Sequence, residues 1–380
     1  MSNDIVLILT LAAIVISSPF VSKIINIPTS IIEIMIGSIL ATIGFMHKQE
    51  QFDMIAEVGF LYLMFLAGLE IDFNKLINSS KKLISRSLLY LFLIALLSIL
   101  LGYLVGFNTI FIVSLPLISV GLLATLSKSY PKDTKWLEIG FTVGVLGEIA
   151  SIIALTILDV ASKVGFSKEL AIELTILFGF IFIVIILYKF IDLLFWWMPE
   201  LKDKIMPKKD ASEQDIRVAI ALFFIFIALM VWLHLELALG AFISGIAISA
   251  FFHHKKDLEE KMSSFGFGFL VPLFFIHVGT TLDLTSVTMD GVFINALLIV
   301  ALSLGIKTVS AFALKEFLSS KEVVLTALSL SMPLTLLVAV ATIGYNLKII
   351  TILNYYSLIQ ASILEIIIAM ITIKILTAKK

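Results

Sequence analysis

Glu148 interrupts an otherwise apolar stretch, VGVLGEIASIIAL, at residues 143–155. It lies about twelve residues past Trp136, where a hydrophobic span begins, and is therefore about 18 Å deep in that span. Keeping a carboxylate ionised at such depth costs about 2.5–3.5 kcal/mol. It must hold a proton, face water or face a cation, and it can pass between these states. Lys307, in SLGIKTVSAF, is the second ionisable outlier. It sits about 12 Å from the nearer span end at Lys315, too deep for its ammonium to reach the surface easily. It needs a carboxylate partner or must give up its proton, and it reads as the countercharge to Glu148.

Two prolines, Pro116 and Pro333, fall inside apolar spans. Proline removes a backbone donor and interrupts a helix. Ser114 and Ser119 flank the first, and Ser329, Ser331 and Thr335 flank the second. Freed carbonyls and hydroxyl oxygens are hard ligands suited to Na⁺ or K⁺, and broken backbone at membrane depth is tolerated where it lines a cavity. Glu148, Ser119, Ser331 and Thr335 thus form the candidate ion and proton site, with Glu148 as the metal ligand. Ser114, Ser151 and Glu365 are weaker candidates, as is His277, a lone histidine in FFIHVGTTLDL whose reading is a packed polar group or a pH sensor. Glu33, Glu57, Glu70 and Asp72 lie nearer span ends, where caps and salt bridges are the ordinary reading.

These residues must be positioned by elements that live in lipid. The 380 residues are 60% hydrophobic and 14% charged, with mean hydropathy +1.11 and net charge -1; a soluble domain is about a quarter charged. Apolar runs of about twenty residues recur throughout, each long enough to cross about 30 Å of hydrocarbon. The fold class is an all-α polytopic membrane protein of about thirteen transmembrane helices. The N-terminal DIVLILTLAAIVISSPFV reads as a first span, not a cleaved signal. Most of the 27 Lys and Arg residues fall in alternate loops. That bias puts the N-terminus outside and the C-terminus in the cytoplasm of a cell (inner or plasma) membrane.

The absence of cysteine excludes disulfides and thiolate chemistry. No phosphate loop, HExxH or nucleophile elbow occurs, and no paired catalytic groups, so neither an enzyme nor a cofactor is expected. No basic stripe with interleaved aromatics suggests nucleic acid. The expected partners are a monovalent cation, protons and the bilayer.

Shifted by 217 residues, SLPLISVGLLAT (114–125) lies on SMPLTLLVAVAT (331–342), and Glu148 lies on Glu365. The two segments begin on the fifth and twelfth spans, seven apart, so they run in opposite senses. This is an inverted-topology repeat, the architecture of many secondary transporters. The chain reads as a single transmembrane domain, 1–380, with a first repeat at 1–160, a linker helix and loop at 161–213, and an inverted second repeat at 214–380.

INIPTSIIEIMIGSILATIG, VGFLYLMFLAGLEIDFNKL, LGAFISGIAIS and VPLFFIHVGTTLDL resemble segments of the cation:proton antiporter-2 family, Kef-type and Na⁺/H⁺ exchanger-like transporters. The likeness implies thirteen spans, a panel domain that forms a homodimer, and a mobile core domain with two crossed, discontinuous helices. It also implies alternating access by an elevator-like movement. In that family the sixth span carries an acidic, Asn-Asp or Gln-Asp pair whose second member is the carrier. Here Gly147 and Glu148 stand at the pair, Lys307 matches a basic residue of the eleventh span, and Ser119 matches the broken fifth helix. Family members that bind nucleotide or glutathione do so in an appended domain, which is not expected after TAKK. The function implied is antiport of H⁺ against Na⁺ or K⁺, both competing for Glu148. A cation channel, an uncoupled conductance pathway and a non-transporting sensor are the alternatives.

Overall fold

The structure is a computed structural model that describes residues 3–25, 28–46, 49–69, 79–127, 130–131, 134–164, 168–198, 200, 213–235, 237–252, 256–281, 289 and 291–378. Glu70 and Asp72 lie outside the described residues. All regular secondary structure among the described residues is helical. The helices in order are α1 (Asn3–Ile25), α2 (Thr29–Thr42), α3 (Glu50–Leu69), α4 (Lys81–Val105), α5 (Thr109–Ser114) and α6 (Gly121–Ser127). They continue with α7 (Lys135–Val164), α8 (Lys168–Trp197), α9 (Gln214–Leu233), α10 (Leu237–Phe252) and α11 (Lys256–Phe265). A π-helical turn at Gly266–Leu270 joins α11 to α12 (Val271–Thr280). After α13 (Val292–Ser310) and a 3₁₀ turn (Ala311–Leu314) come α14 (Ser320–Ser329), α15 (Leu334–Asn346) and α16 (Ile352–Thr377).

Nine helical stretches among the described residues are long and apolar enough to span a membrane, or ten with the bent α14–α15 pair counted as one. Two shorter apolar helices, α2 and α10, accompany them. The protein is a multi-pass membrane protein. Local chemistry sets several helix ends. Ser80 caps α4 by accepting from the Leu83 amide, and Gly106, at φ 79°, closes it in the left-handed region that costs glycine nothing. Asn108 caps α5, Thr351 caps α16, and Ser319 with Glu322 forms a reciprocal capping box at α14.

The chain divides into two compact units: residues 1–59, 79–155 and 269–380, and residues 60–78 and 156–268. In the first unit α2 and α12 touch backbone to backbone. A Cβ on Gly37 would strike the Ile276 carbonyl oxygen, and one on Gly279 would strike that of Ile34. Where α1 packs on α2, Glu33 is only 4% exposed and accepts from the Ser18 hydroxyl at 3.2 Å. The expectation of a cap or surface ion pair for Glu33 is thus corrected: α2 starts right after Pro28, and α1 covers its first turns. In the second unit Gly68 and Gly245 let α3 and α10 meet backbone to backbone. There Tyr62 donates its hydroxyl proton to the Met262 carbonyl at 3.2 Å.

Candidate functional site

One face of α7 carries Gly140, Gly144, Gly147, Glu148 and Ser151, spaced as one stripe of a helix. Without side chains, its glycines let other backbone come close. The first broken helix, α5 and α6, is interrupted at residues 115–120, where Pro116 cannot donate a helical hydrogen bond. The second, α14 and α15, is interrupted at residues 330–333 and bent by 48°, with Pro333 as the residue just before α15. Both interruptions reach Gly144: a Cβ there would meet Val120 of the first and Leu330 of the second. The prolines singled out in the sequence therefore mark non-helical backbone that converges on α7.

Glu148 is fully buried. The Ser119 hydroxyl donates to its Oε1 at 3.2 Å, and the Val120 amide donates to its Oε2 at 3.0 Å. The Val120 amide is free to do so because the chain is not helical there. Ser151, one turn on, accepts from the Ile118 amide at 2.9 Å and donates to the Gly147 carbonyl at 2.7 Å. Two residues of α7 thus hold three consecutive residues of the interruption. Gly147 itself is closed over by Ile118, whose side chain lies 2.7–3.0 Å from where a Cβ would be.

The other candidates are placed differently. Ser114 donates to the Phe111 carbonyl and Ser331 to the Ala327 carbonyl, each within its own helix. Thr335 is buried in the first turn of α15. Among the described residues, no hydrogen bond joins these three to Glu148. His277 lies 2.8 Å from Asp53 Oδ1 and meets the Phe52 ring edge-on. Both partners are partly exposed, so His277 is not a lone packed histidine, and Asp53 was not singled out in the sequence.

The expected pairing of Lys307 with Glu148 is corrected. Lys307 donates to Glu365 Oε1 at 3.1 Å, and both side chains are fully buried. Ser303, one turn earlier on α13, donates to the same oxygen at 2.6 Å and approaches the Leu115 carbonyl at 3.3 Å. The two carboxylates that the 217-residue shift aligns therefore have unlike partners. The 217-residue shift carries Ser119 and Val120 onto Leu336 and Leu337. Since α15 begins at Leu334, the Leu337 amide is already used by the Pro333 carbonyl at 2.8 Å. The earlier helix start removes the donor that a second Glu148-like contact needs.

A family model described as "Sodium/hydrogen exchanger, transmembrane" matches residues 7–379. The chain is similar to the putative Na⁺/H⁺ antiporter YjbQ of Bacillus subtilis (strain 168), 27% identical over 352 residues, covering 86% of this chain and 55% of that protein. It thus spans little more than half the length of that relative. It is also similar to the Na⁺/H⁺-K⁺ antiporter GerN of Bacillus cereus, 26% identical over 284 residues, 71% of this chain and 68% of GerN. The solved structure of the sodium proton antiporter MjNhaP1 from Methanocaldococcus jannaschii superposes with a TM-score of 0.70 at 14% identity, covering 98% of this chain and 99% of that one. At that identity the likeness speaks for the fold. With nearly its whole length matched, the chain belongs to the transmembrane sodium/hydrogen exchanger family.

Proposed function

We propose that the protein is a secondary antiporter that exchanges H⁺ for Na⁺ or K⁺, with both competing for Glu148. One observation carries the reading: Glu148 is fully buried against the first helix interruption, one turn from Gly144, where both interruptions meet, and among the described residues its hydrogen bonds come from a hydroxyl and an amide, not from a cation. A carboxylate so placed needs a positive charge from outside the chain. A proton and an alkali cation each supply one, and neither leaves room for the other. That exclusion is the coupling, because a carrier that crosses only when loaded moves one species in each direction. The Ser119 hydroxyl can turn its lone pairs towards a cation and its proton towards the empty carboxylate. Ser331, Thr335 and freed carbonyls complete the cation's shell as the interruptions shift.

The relatives' names, Na⁺/H⁺ antiporters with one Na⁺/H⁺-K⁺ antiporter among them, support this ion class. The inverted repeat supplies two alternating-access states, the protein works as a homodimer, and its N-terminus faces outside. One cation exchanges for one proton.

Reconstitution in liposomes tests the reading. An imposed Na⁺ or K⁺ gradient should drive proton movement in the opposite direction. Uncoupled conductance would mark a channel, and neither flux would mark a sensor. Moving one charge through 100 mV is worth about 2.3 kcal/mol. A null-point ion ratio that follows voltage would overturn the electroneutral cycle.

A further inference from the structure

The group around Lys307 touches the carrier site only indirectly, yet it is connected to it. Lys307 and Glu365 are both fully buried and ion-paired at 3.1 Å. Ser303 places its hydroxyl 2.6 Å from the same Glu365 oxygen and 3.3 Å from the carbonyl of Leu115. Leu115 is the first residue of the interruption that ends in the Ser119 and Val120 donors. Residues 115–120 are therefore contacted at four atoms: the Leu115 carbonyl by the longer arm of the one proton that Ser303 shares with Glu365, the Ile118 amide by Ser151, and the Ser119 hydroxyl and Val120 amide by Glu148. Three of these contacts come from α7. The fourth comes from Ser303 on α13, whose hydroxyl is oriented by the Glu365 carboxylate on α16.

We propose that Glu365 is a positioning residue for the carrier. It anchors Ser303, and through Ser303 it fixes the start of the interruption so that the donors at its end reach Glu148. Lys307 makes the anchor electrically neutral. A buried carboxylate at that depth needs a countercharge, and the lysine supplies it without drawing on the carrier. The pair stays intact through the cycle and exchanges no proton. This inference rests on the antiport reading and adds a residue and a role to it.

Among the described residues Glu365 Oε2 is buried without a hydrogen-bond partner, so the competing role is a second proton site. The two roles differ in stoichiometry. A positioning pair leaves the number of protons per cation unchanged when it is removed. A second proton site does not.

The test uses reconstituted full-length wild type, Ser303→Ala, Ser303→Thr and the double variant Lys307→Gln/Glu365→Gln, with Na⁺ and K⁺ as probes. Ser303→Ala should raise the apparent KM for the cation about two- to tenfold, as expected for one lost hydrogen bond, with kcat little changed. Its pH profile should move to the alkaline side, because looser donors favour the protonated carrier. Ser303→Thr, which keeps the hydroxyl, should restore both. The double variant should keep the wild-type proton-to-cation ratio at the null point while its KM rises. Wild-type KM and pH profile in Ser303→Ala would overturn the proposal, as would an altered ratio in the double variant. If the double variant does not fold, the Ser303 pair decides. Absence of exchange in the wild type would remove the antiport reading and this inference together. Exchange by the wild type with an unchanged Ser303→Ala would remove this inference alone.

Discussion

Lys307 Nζ lies 3.1 Å from Glu365 Oε1, a partner 58 residues away, while Glu148 takes its donors from Ser119 and Val120. These two buried carboxylates thereby differ in their partners: Glu365 is ion-paired inside the protein, and Glu148 takes its hydrogen bonds from a hydroxyl and an amide.

Breaking the internal pair should be costly. Glu365→Gln or Lys307→Gln alone leaves one charge buried without its partner, which costs about 3–5 kcal/mol. Replacing both with apolar residues of similar volume, as in Lys307→Met/Glu365→Leu, should recover most of that. Thermal unfolding in detergent reads the difference. A double variant no more stable than the singles would show that the pair is not a closed unit.

Glu148→Gln should abolish cation-driven proton movement in liposomes while the protein still inserts and unfolds at its usual temperature. Glu148→Asp should retain part of the activity, since it keeps the charge and loses only reach. Wild-type exchange by the Gln variant would remove Glu148 as the carrier.

Ser119→Ala removes one of the two donors to Glu148. A hydrogen bond to a charged group is worth about 1.5–3 kcal/mol, or roughly ten- to hundredfold in affinity. The retained Val120 amide should hold the loss near the lower end. Cation dependence of proton flux at fixed pH measures it, and an unchanged KM would take Ser119 out of the site.

Gly147→Ala should destabilise the protein by about 1–3 kcal/mol through overpacking, because the added methyl meets the Ile118 side chain. Shortening that neighbour in Gly147→Ala/Ile118→Val should return part of the loss. If the alanine variant melts like wild type, Ile118 moves aside freely and the tight contact does not matter.

Away from the membrane core, Glu316 hydrogen-bonds Lys82 and lies 3.4 Å from Arg86. The Lys82 ammonium, with Arg86 beside it, holds the Glu316 carboxyl below the usual carboxylate range. A folded pKa below the unfolded one contributes stability above about pH 4.3 that is lost as pH falls through the folded value. Exposure keeps the effect small. Glu316→Gln should flatten the acid limb of a stability profile below about pH 5, and an unaltered limb would show that the pair contributes nothing.

What the sequence made legible was local. Glu148 stands out because an acid in an apolar run has no cheap explanation, and Pro116 and Pro333 because proline interrupts a helix wherever it stands. The helical membrane class follows from apolar runs alone. Ser303 does not stand out because a serine in a membrane span looks ordinary until its partners prove to lie on α16 and in the α5–α6 interruption. Glu365 reads only as a weaker candidate and Lys307 as the countercharge to Glu148 because spacing along the chain does not tell which helices pack together. Glu33 reads as a capping or surface acid for a related reason: its depth is counted from the span end, whereas burial depends on what lies across from it. The Val120 donor is backbone, and no residue type announces it.

The backbone contact between α2 and α12 has a mechanical consequence. Two rods that touch through Gly37 and Gly279 must part by the width of a methyl group before either can slide. Ratcheting past one another is closed to them, so they form a single beam. Load applied to one end of α2 arrives in α12 without slack. Glu33 and His277 ride on that beam at a fixed spacing, and any relative movement within this unit falls to the joints beyond it.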